Sequence, residues 1–219
     1  MQKDEFRTLQ KQRLKNQVDF KFRQDFKVFK ECLFLIKKFK AKRILLYCSL
    51  KYEPNLLRFR QKLSRHCKIF VPFMNDISFK IVKLRLPLSQ KRFKVLEPNN
   101  SFLNTSIDLA IVPVIGVDKT LRRIGHGHGF YDRFFENVGE NFVIIFTQSI
   151  NSLSDEFVCE KHDVQGGFYI NPYKKYYRKG NDNRTYHSCS YRRCFGRRSR
   201  LFNSKKNQRR KISNFCRTS

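Results

Sequence analysis

DLAIVPVIGVDKTLRRIGHGHGFYDRFF, residues Asp108–Phe135, is the stretch on which the fold turns. It opens with a short continuous apolar run, 108–114, of the kind that forms a strand buried on both faces. It closes on Tyr131, Asp132 and Arg133, where a helix is expected to begin. Between the two, Gly125, Gly127 and Gly129 stand at every second position, and they are three of only nine glycines in 219 residues. A glycine loop soon after a buried strand belongs at the carboxyl end of an α/β sheet, where ligands gather.

Working outward, RILLYC (43–48), KIFVP (68–72), NFVIIF (141–146) and FYI (168–170) read as further short strands, and the alternating FKIVKL (79–84) as an edge strand. Phe22, Phe26, Phe29, Leu33 and Ile36 recur at helical spacing, as do Leu56, Phe59 and Leu63. Strands alternating with helices predict an α/β fold, a three-layer sandwich with a mostly parallel central sheet flanked by helices. The apolar pattern stops after Pro172. Residues 1–172 are therefore expected to form one domain, and 173–219 an irregular, disordered basic tail.

The net charge of +29 is unevenly spread. Residues 174–219 hold 16 Lys/Arg against one acid, Asp182, while 1–173 hold 31 against 17. The domain is basic in a way that suits a small anionic substrate such as a nucleotide. The tail reads either as an RNA- or acidic-lipid-binding segment or as a reading-frame extension without a role. A nucleic-acid partner is expected only if the tail is functional, and the rival function is a basic RNA-binding protein on a vestigial enzyme fold. His187, Cys189 and Cys194 make a poor zinc site. The longest apolar run, Leu109–Val117, is too short to span a bilayer. The charged start lacks an apolar leader core. With seven cysteines in no regular framework, a cytoplasmic protein with free thiols and no membrane partner is expected.

Alternating glycines bare their backbone N–H groups to a close-approaching phosphate, and a following helix N-terminus adds its positive end. Arg123 offers a forked donor to phosphate oxygens. Asp132 repels phosphate but makes sense as a Mg²⁺ ligand beside it. Together these residues predict a nucleoside triphosphate site. The spacing is neither the Walker loop nor G-x-G-x-x-G, so a plain glycine-rich surface turn is the alternative. His126 and His128 lack a third metal ligand in view.

The run Arg123–Arg133, R-I-G-H-G-H-G-F-Y-D-R, resembles the signature of the 5-formyltetrahydrofolate cyclo-ligase family. Other segments agree in order: Lys3–Arg7, Tyr47 with Glu53, IFVPFM (69–74), Glu97-Pro98, Asp108–Pro113 with Asp118, and His162-Asp163. The resemblance covers about residues 1–172. Val117 stands where the family commonly has Phe, and Leu121 where it commonly has Gly. His126 and His128 fill variable positions.

The resemblance implies ATP as co-substrate, Mg²⁺, and 5-formyltetrahydrofolate, with or without a polyglutamate chain, as substrate of a monomeric ligase. It implies ATP contacts from Lys3, Arg7, Arg123, Ile124, Gly125, His126, Gly127, His128, Gly129, Phe130 and Tyr131. Substrate contacts would come from Cys48, Glu53 and His126–Phe130, and metal contacts from Asp132 and Asp163. No covalent catalytic residue is implied. On the residues alone, Lys3 and Arg7 also suit a solvated helix face, Asp132 and Glu53 helix caps, Asp163 a turn, and Cys48 an inert buried thiol.

Overall fold

The computed structural model describes residues 1–16, 21–75, 78–90, 96–99, 105–138 and 142–178, and the backbone of 186–190. The chain opens with helices α1 (Lys3–Lys15) and α2 (Lys21–Lys38). β1 (Arg43–Leu45) leads to a 3₁₀ turn (Leu56–Phe59) and the short α3 (Arg60–Ser64). β2 (Lys68–Asn75) and β3 (Ser78–Lys83) follow, then the small pair β4 (Ser89–Gln90) and β5 (Leu96–Glu97). β6 (Leu109–Pro113) precedes a second small pair, β7 (Gly116–Val117) and β8 (Arg123–Ile124). Then come α4 (Phe130–Val138), β9 (Val143–Thr147), β10 (Phe168–Ile170), β11 (Lys174–Arg178) and β12 (Tyr186–Ser190).

The main sheet runs β12-β11-β10-β9-β6-β1-β2-β3. Its five central strands are parallel, and β3, β11 and β12 add antiparallel margins. Alternate residues point to opposite faces. Ile44, Leu109, Ile111, Ile145, Phe168 and Ile170 meet Phe29, Cys32, Ile36, Phe59 and Leu63 of α2, the 3₁₀ turn and α3. Leu45, Ala110, Val112, Phe146 and Tyr169 face the other way, in the cluster with Phe134 and Phe135 of α4. Sheet and helices thus form the expected three layers. Tiling both faces with large side chains is what explains the near-continuous apolar strands.

Two local differences from the sequence reading have physical reasons. The buried stripe of α2 is Val28, Phe29, Cys32, Leu35 and Ile36, while Phe22 is 56% exposed. Phe22 lies at the helix start, where its ring leans on Phe59 and under Arg58. α2 ends by Ala41 N–H donating to the Ile36 carbonyl, with Lys40 in the left-handed region at φ 52°. The expected boundary at 172 also falls inside the sheet, because β11 pairs antiparallel with β10. Its Lys175 is buried and donates to Glu31 of α2 at 2.8 Å. Residues 179–185 and 191–219 of the expected tail, with Cys194, lie outside the described residues. Among the described residues no helix is long and apolar enough to cross a membrane.

Candidate active site

α1 is docked by one face. Phe6, Gln10 and Leu14, at successive i+4 positions, are all buried. Phe6 packs onto Gly116, where a Cβ would sit 2.5 Å from its Cε1, so glycine is what lets the helix approach. Ser152 Oγ donates to Gln10 Oε1 at 3.1 Å. A capping box between Gln2 and Glu5 organises the first turn. With that face held down, Lys3 and Arg7 project together into a cavity of ≈ 250 Å³.

The opposite wall is the glycine loop. β8 delivers Arg123 and Ile124, and the loop then passes Gly125, Gly127 and Gly129 into α4. Gly127 and Gly129 hold φ values of 108° and 65°, which side chains resist. Gly125 lies so close to the Arg123 guanidinium that any Cβ would displace it. Gly129 begins α4 by accepting from Arg133 N–H at 3.0 Å. Arg7 Nε donates to the Gly125 carbonyl at 3.0 Å and so ties helix to loop.

Lys3, Arg7, Arg123, Arg133, Asp132, Glu136, His162, Asp163 and the three glycines line the cavity. Every lining side chain is charged or imidazole. The start of α4 adds backbone N–H groups with the positive end of the helix dipole. Such a lining suits a polyanion rather than an aromatic ring.

Two cation–acid pairs stand in the cavity wall. Lys3 Nζ donates to Asp163 Oδ2 at 2.5 Å, and the same oxygen accepts from Glu160 N–H at 2.8 Å. Arg123 Nη1 donates to Asp132 Oδ2 at 3.1 Å, and its guanidinium stacks 4.9 Å over the Tyr131 ring. Burial holds the Tyr131 hydroxyl protonated despite that neighbour. Asp132 does not cap α4; it sits inside the first turn and accepts from Val164 N–H at 3.4 Å. Asp163 closes a turn with Glu160 while also reaching Lys3. Among the described residues no cluster of three His, Cys, Asp or Glu forms a ready-made metal cage.

The remaining expected residues lie beside this cavity. Ile124 is buried in the core. Tyr131 sits beneath Arg123 and edge-on to Phe79, and the exposed His128 lies 6.0 Å from the Phe130 ring. His126 turns instead towards Glu53, its Nε2 3.4 Å from Glu53 Oε1. Glu53 is buried and accepts from Leu50 N–H through Oε2 at 2.9 Å. It does not cap the 3₁₀ turn; Asn55 does, accepting from Arg58 N–H. Cys48 is buried against Val71 and Val82, and burial with the nearby Glu97 charge pushes its thiol up to about 12, so it is not a nucleophile at neutral pH.

Arg133, Glu136 and His162 reach the cavity without having been expected there. A signal existed for Glu136: it stands four residues after Asp132 and so shares a helix face with it. His162 neighbours Asp163 in the turn. Asp118 has a structural part, holding the turn before β8 by accepting from the Thr120 and Arg122 N–H groups at 2.9 Å.

A sequence model of the 5-formyltetrahydrofolate cyclo-ligase family matches residues 1–165. The 5-formyltetrahydrofolate cyclo-ligase of Haemophilus influenzae is 30% identical over 120 residues, covering 50% of this chain and 64% of that protein. That of Mycolicibacterium smegmatis is 37% identical over 57 residues, 26% of this chain and 29% of its own. The matched segments thus span less than two thirds of either relative. Two solved 5,10-methenyltetrahydrofolate synthetases share the fold. The Mycoplasma pneumoniae protein superposes with TM-score 0.62 at 23% identity, covering 78% of this chain and 99% of its own. The Aquifex aeolicus protein gives 0.66 at 21% identity, covering 78% and 89%. With three quarters of its length under the family model and the fold of these synthetases, the chain belongs to the 5-formyltetrahydrofolate cyclo-ligase family.

Proposed function

We propose that the chain closes 5-formyltetrahydrofolate into 5,10-methenyltetrahydrofolate, with ATP converted to ADP and phosphate. The observation that carries this reading is the cavity in which Lys3, Arg7, Arg123 and the bare amides of the glycine loop converge at the start of α4. It supports a triphosphate as the occupant, and family membership supports a formylated folate beside it.

The chemistry calls for such a site. A formyl group on nitrogen is an amide, with a poorly electrophilic carbon and an oxygen that leaves badly. Moving the γ-phosphoryl group onto the formyl oxygen makes that oxygen a phosphate ester and the carbon electron-poor. N10 of the folate then attacks the carbon, the C–O bond breaks, phosphate departs and N10 loses its proton. The protein's task is to position the partners and stabilise charge. Lys3, Arg7 and Arg123 hold phosphate oxygens, while the amides of Gly127 and Gly129 approach closely because no side chain intervenes. Glu53 accepts from an N–H of the pterin.

Mg²⁺ fits the donor set. Asp132 and Asp163 present hard carboxylate oxygens to the cavity, and Mg²⁺ ordinarily takes one or two carboxylates together with phosphate oxygens and water. Bound there, it would neutralise charge between the phosphates and the two acids. Arg123 and Lys3, which face those acids now, are the cations that phosphates would draw away.

The test is formation of the methenyl product, followed by its near-ultraviolet absorbance, with purified protein, 5-formyltetrahydrofolate, ATP and Mg²⁺. Product that requires both ATP and Mg²⁺ supports the reading. Absence of product with all components present refutes it.

A further inference from the structure

We propose that His126 is the positioning residue for Glu53, so that the glycine loop, through one imidazole, sets the carboxylate that receives the folate. The inference rests on the function proposed above and adds the link between its two halves. His126 stands between Gly125 and Gly127, with its Nε2 3.4 Å from Glu53 Oε1 and its Nδ1 3.4 Å from the Tyr52 hydroxyl. The Tyr52 and His126 ring centroids are 5.7 Å apart.

A single arrangement of hydrogens can serve both contacts of the imidazole. Burial, with the Glu53 charge beside it, pushes the Tyr52 hydroxyl up to about 12, so it keeps its proton and can donate to Nδ1. With Nδ1 accepting from Tyr52, the ring hydrogen on Nε2 is left to donate to Glu53. Tyr52 is itself anchored, its carbonyl accepting from Ser149 Oγ at 3.1 Å. Glu53 thus has Oε2 fixed by Leu50 N–H in its own loop and Oε1 fixed by a side chain 73 residues away.

Glu53 keeps hydrogen-bonding capacity for the substrate. A carboxylate oxygen accepts more than one hydrogen bond, so Oε1 can take His126 and still receive an N–H from a ring amide or amino group. The Glu53 side chain is 4% exposed, and a charge so enclosed needs donors to hold it in one orientation. Gly125, next to His126, is where Arg7 of α1 attaches. Adjacent loop residues therefore fasten the phosphate-side helix and the folate-side carboxylate.

Calorimetric titration of 5-formyltetrahydrofolate into wild type, His126→Leu, His126→Gln, Glu53→Gln and the His126→Leu/Glu53→Gln double variant tests this. His126→Leu is expected to weaken folate binding about tenfold, the value of a hydrogen bond to a charged group. His126→Gln, which can still donate, should recover most of the loss. On the Glu53→Gln background, His126→Leu should change affinity by less than about twofold, as befits a residue acting through Glu53. Unchanged or tighter binding by His126→Leu overturns the proposal, and so does an equal loss on both backgrounds. Wild type that binds the folate without forming product condemns the proposed reaction alone. Wild type that does not bind it condemns both.

Discussion

Two lysine–carboxylate pairs in this molecule have nearly the same chemistry and opposite settings. Lys3 and Asp163 meet at 2.5 Å on the wall of the charged cavity. Lys175 and Glu31 meet at 2.8 Å between β11 and α2, with side chains only 4% and 6% exposed. The first pair shares its cavity with other cations and acids, and on the function proposed above it would exchange its partner for an arriving anion. Glu31 and Lys175 are shut away together, and a sealed pair of that kind tolerates loss of either member poorly. Contact distance hardly separates the two; what surrounds each contact does.

The sharpest way to break the comparison is to remove one sealed charge. Lys175→Met strands Glu31 and should lower stability by about 3–5 kcal/mol, read as a fall in the urea midpoint. The double variant Lys175→Met/Glu31→Leu should regain most of it. Little change in the single variant would mean that this pair is as exchangeable as the one in the cavity.

On the cavity side the loss should fall on turnover. Arg123→Ala is expected to reduce methenyl formation by about 10²–10³-fold, as for removal of a charge-stabilising donor. Full activity would remove Arg123 from the site and leave its pairing with Asp132 purely structural.

Leu121 sharpens the contrast through the backbone. It holds φ 57° in the turn before β8, yet its side chain is fully buried. Leu121→Gly should relieve about 1 kcal/mol of left-handed strain but lose more from the core. A net loss of about 2 kcal/mol in chemical denaturation is expected. A gain would show that strain, not packing, governs this turn.

The smallest effect concerns a half-open pair, Arg43–Asp108 at 2.8 Å. Burial pushes the Asp108 carboxyl up, but Arg43 and the Lys42 and Arg43 amides outweigh it and hold the carboxyl below its ordinary range. A lowered carboxyl stabilises the fold above the ordinary carboxylate pKa of about 4. That contribution fades as pH falls through the lower folded value. Asp108→Asn should therefore lose under about 1 kcal/mol at neutral pH and progressively less as the pH falls below about 4. A constant difference across that range would mean that shape, not charge, is what matters at 108.

Much of the fold was legible because strand side chains alternate and both faces of this sheet are covered. Ile44 and Leu45, Leu109 and Ala110, Phe168 and Tyr169 divide between the two layers as an apolar run requires. β11 was not legible. KKYYR carries its charges as a solvated tail would, and only Glu31, far away in sequence, gives Lys175 a reason to be inside. Phe22 misled in the other direction, since helical period does not say where a helix first meets the core. The glycine loop with Asp132 could be read from spacing and charge, and Asp163 only from the family resemblance, whereas the attachment of α1 through Phe6 on Gly116 could not be read at all.

Composition and spacing by themselves determined the layered α/β class and the bare, charge-flanked loop, because backbone periodicity and missing side chains act locally. Tertiary structure alone decided which charges face a cavity, which are sealed in pairs, and which carboxylate His126 reaches. Those outcomes depend on desolvation and on contacts between distant segments, and neither exists until the chain has folded.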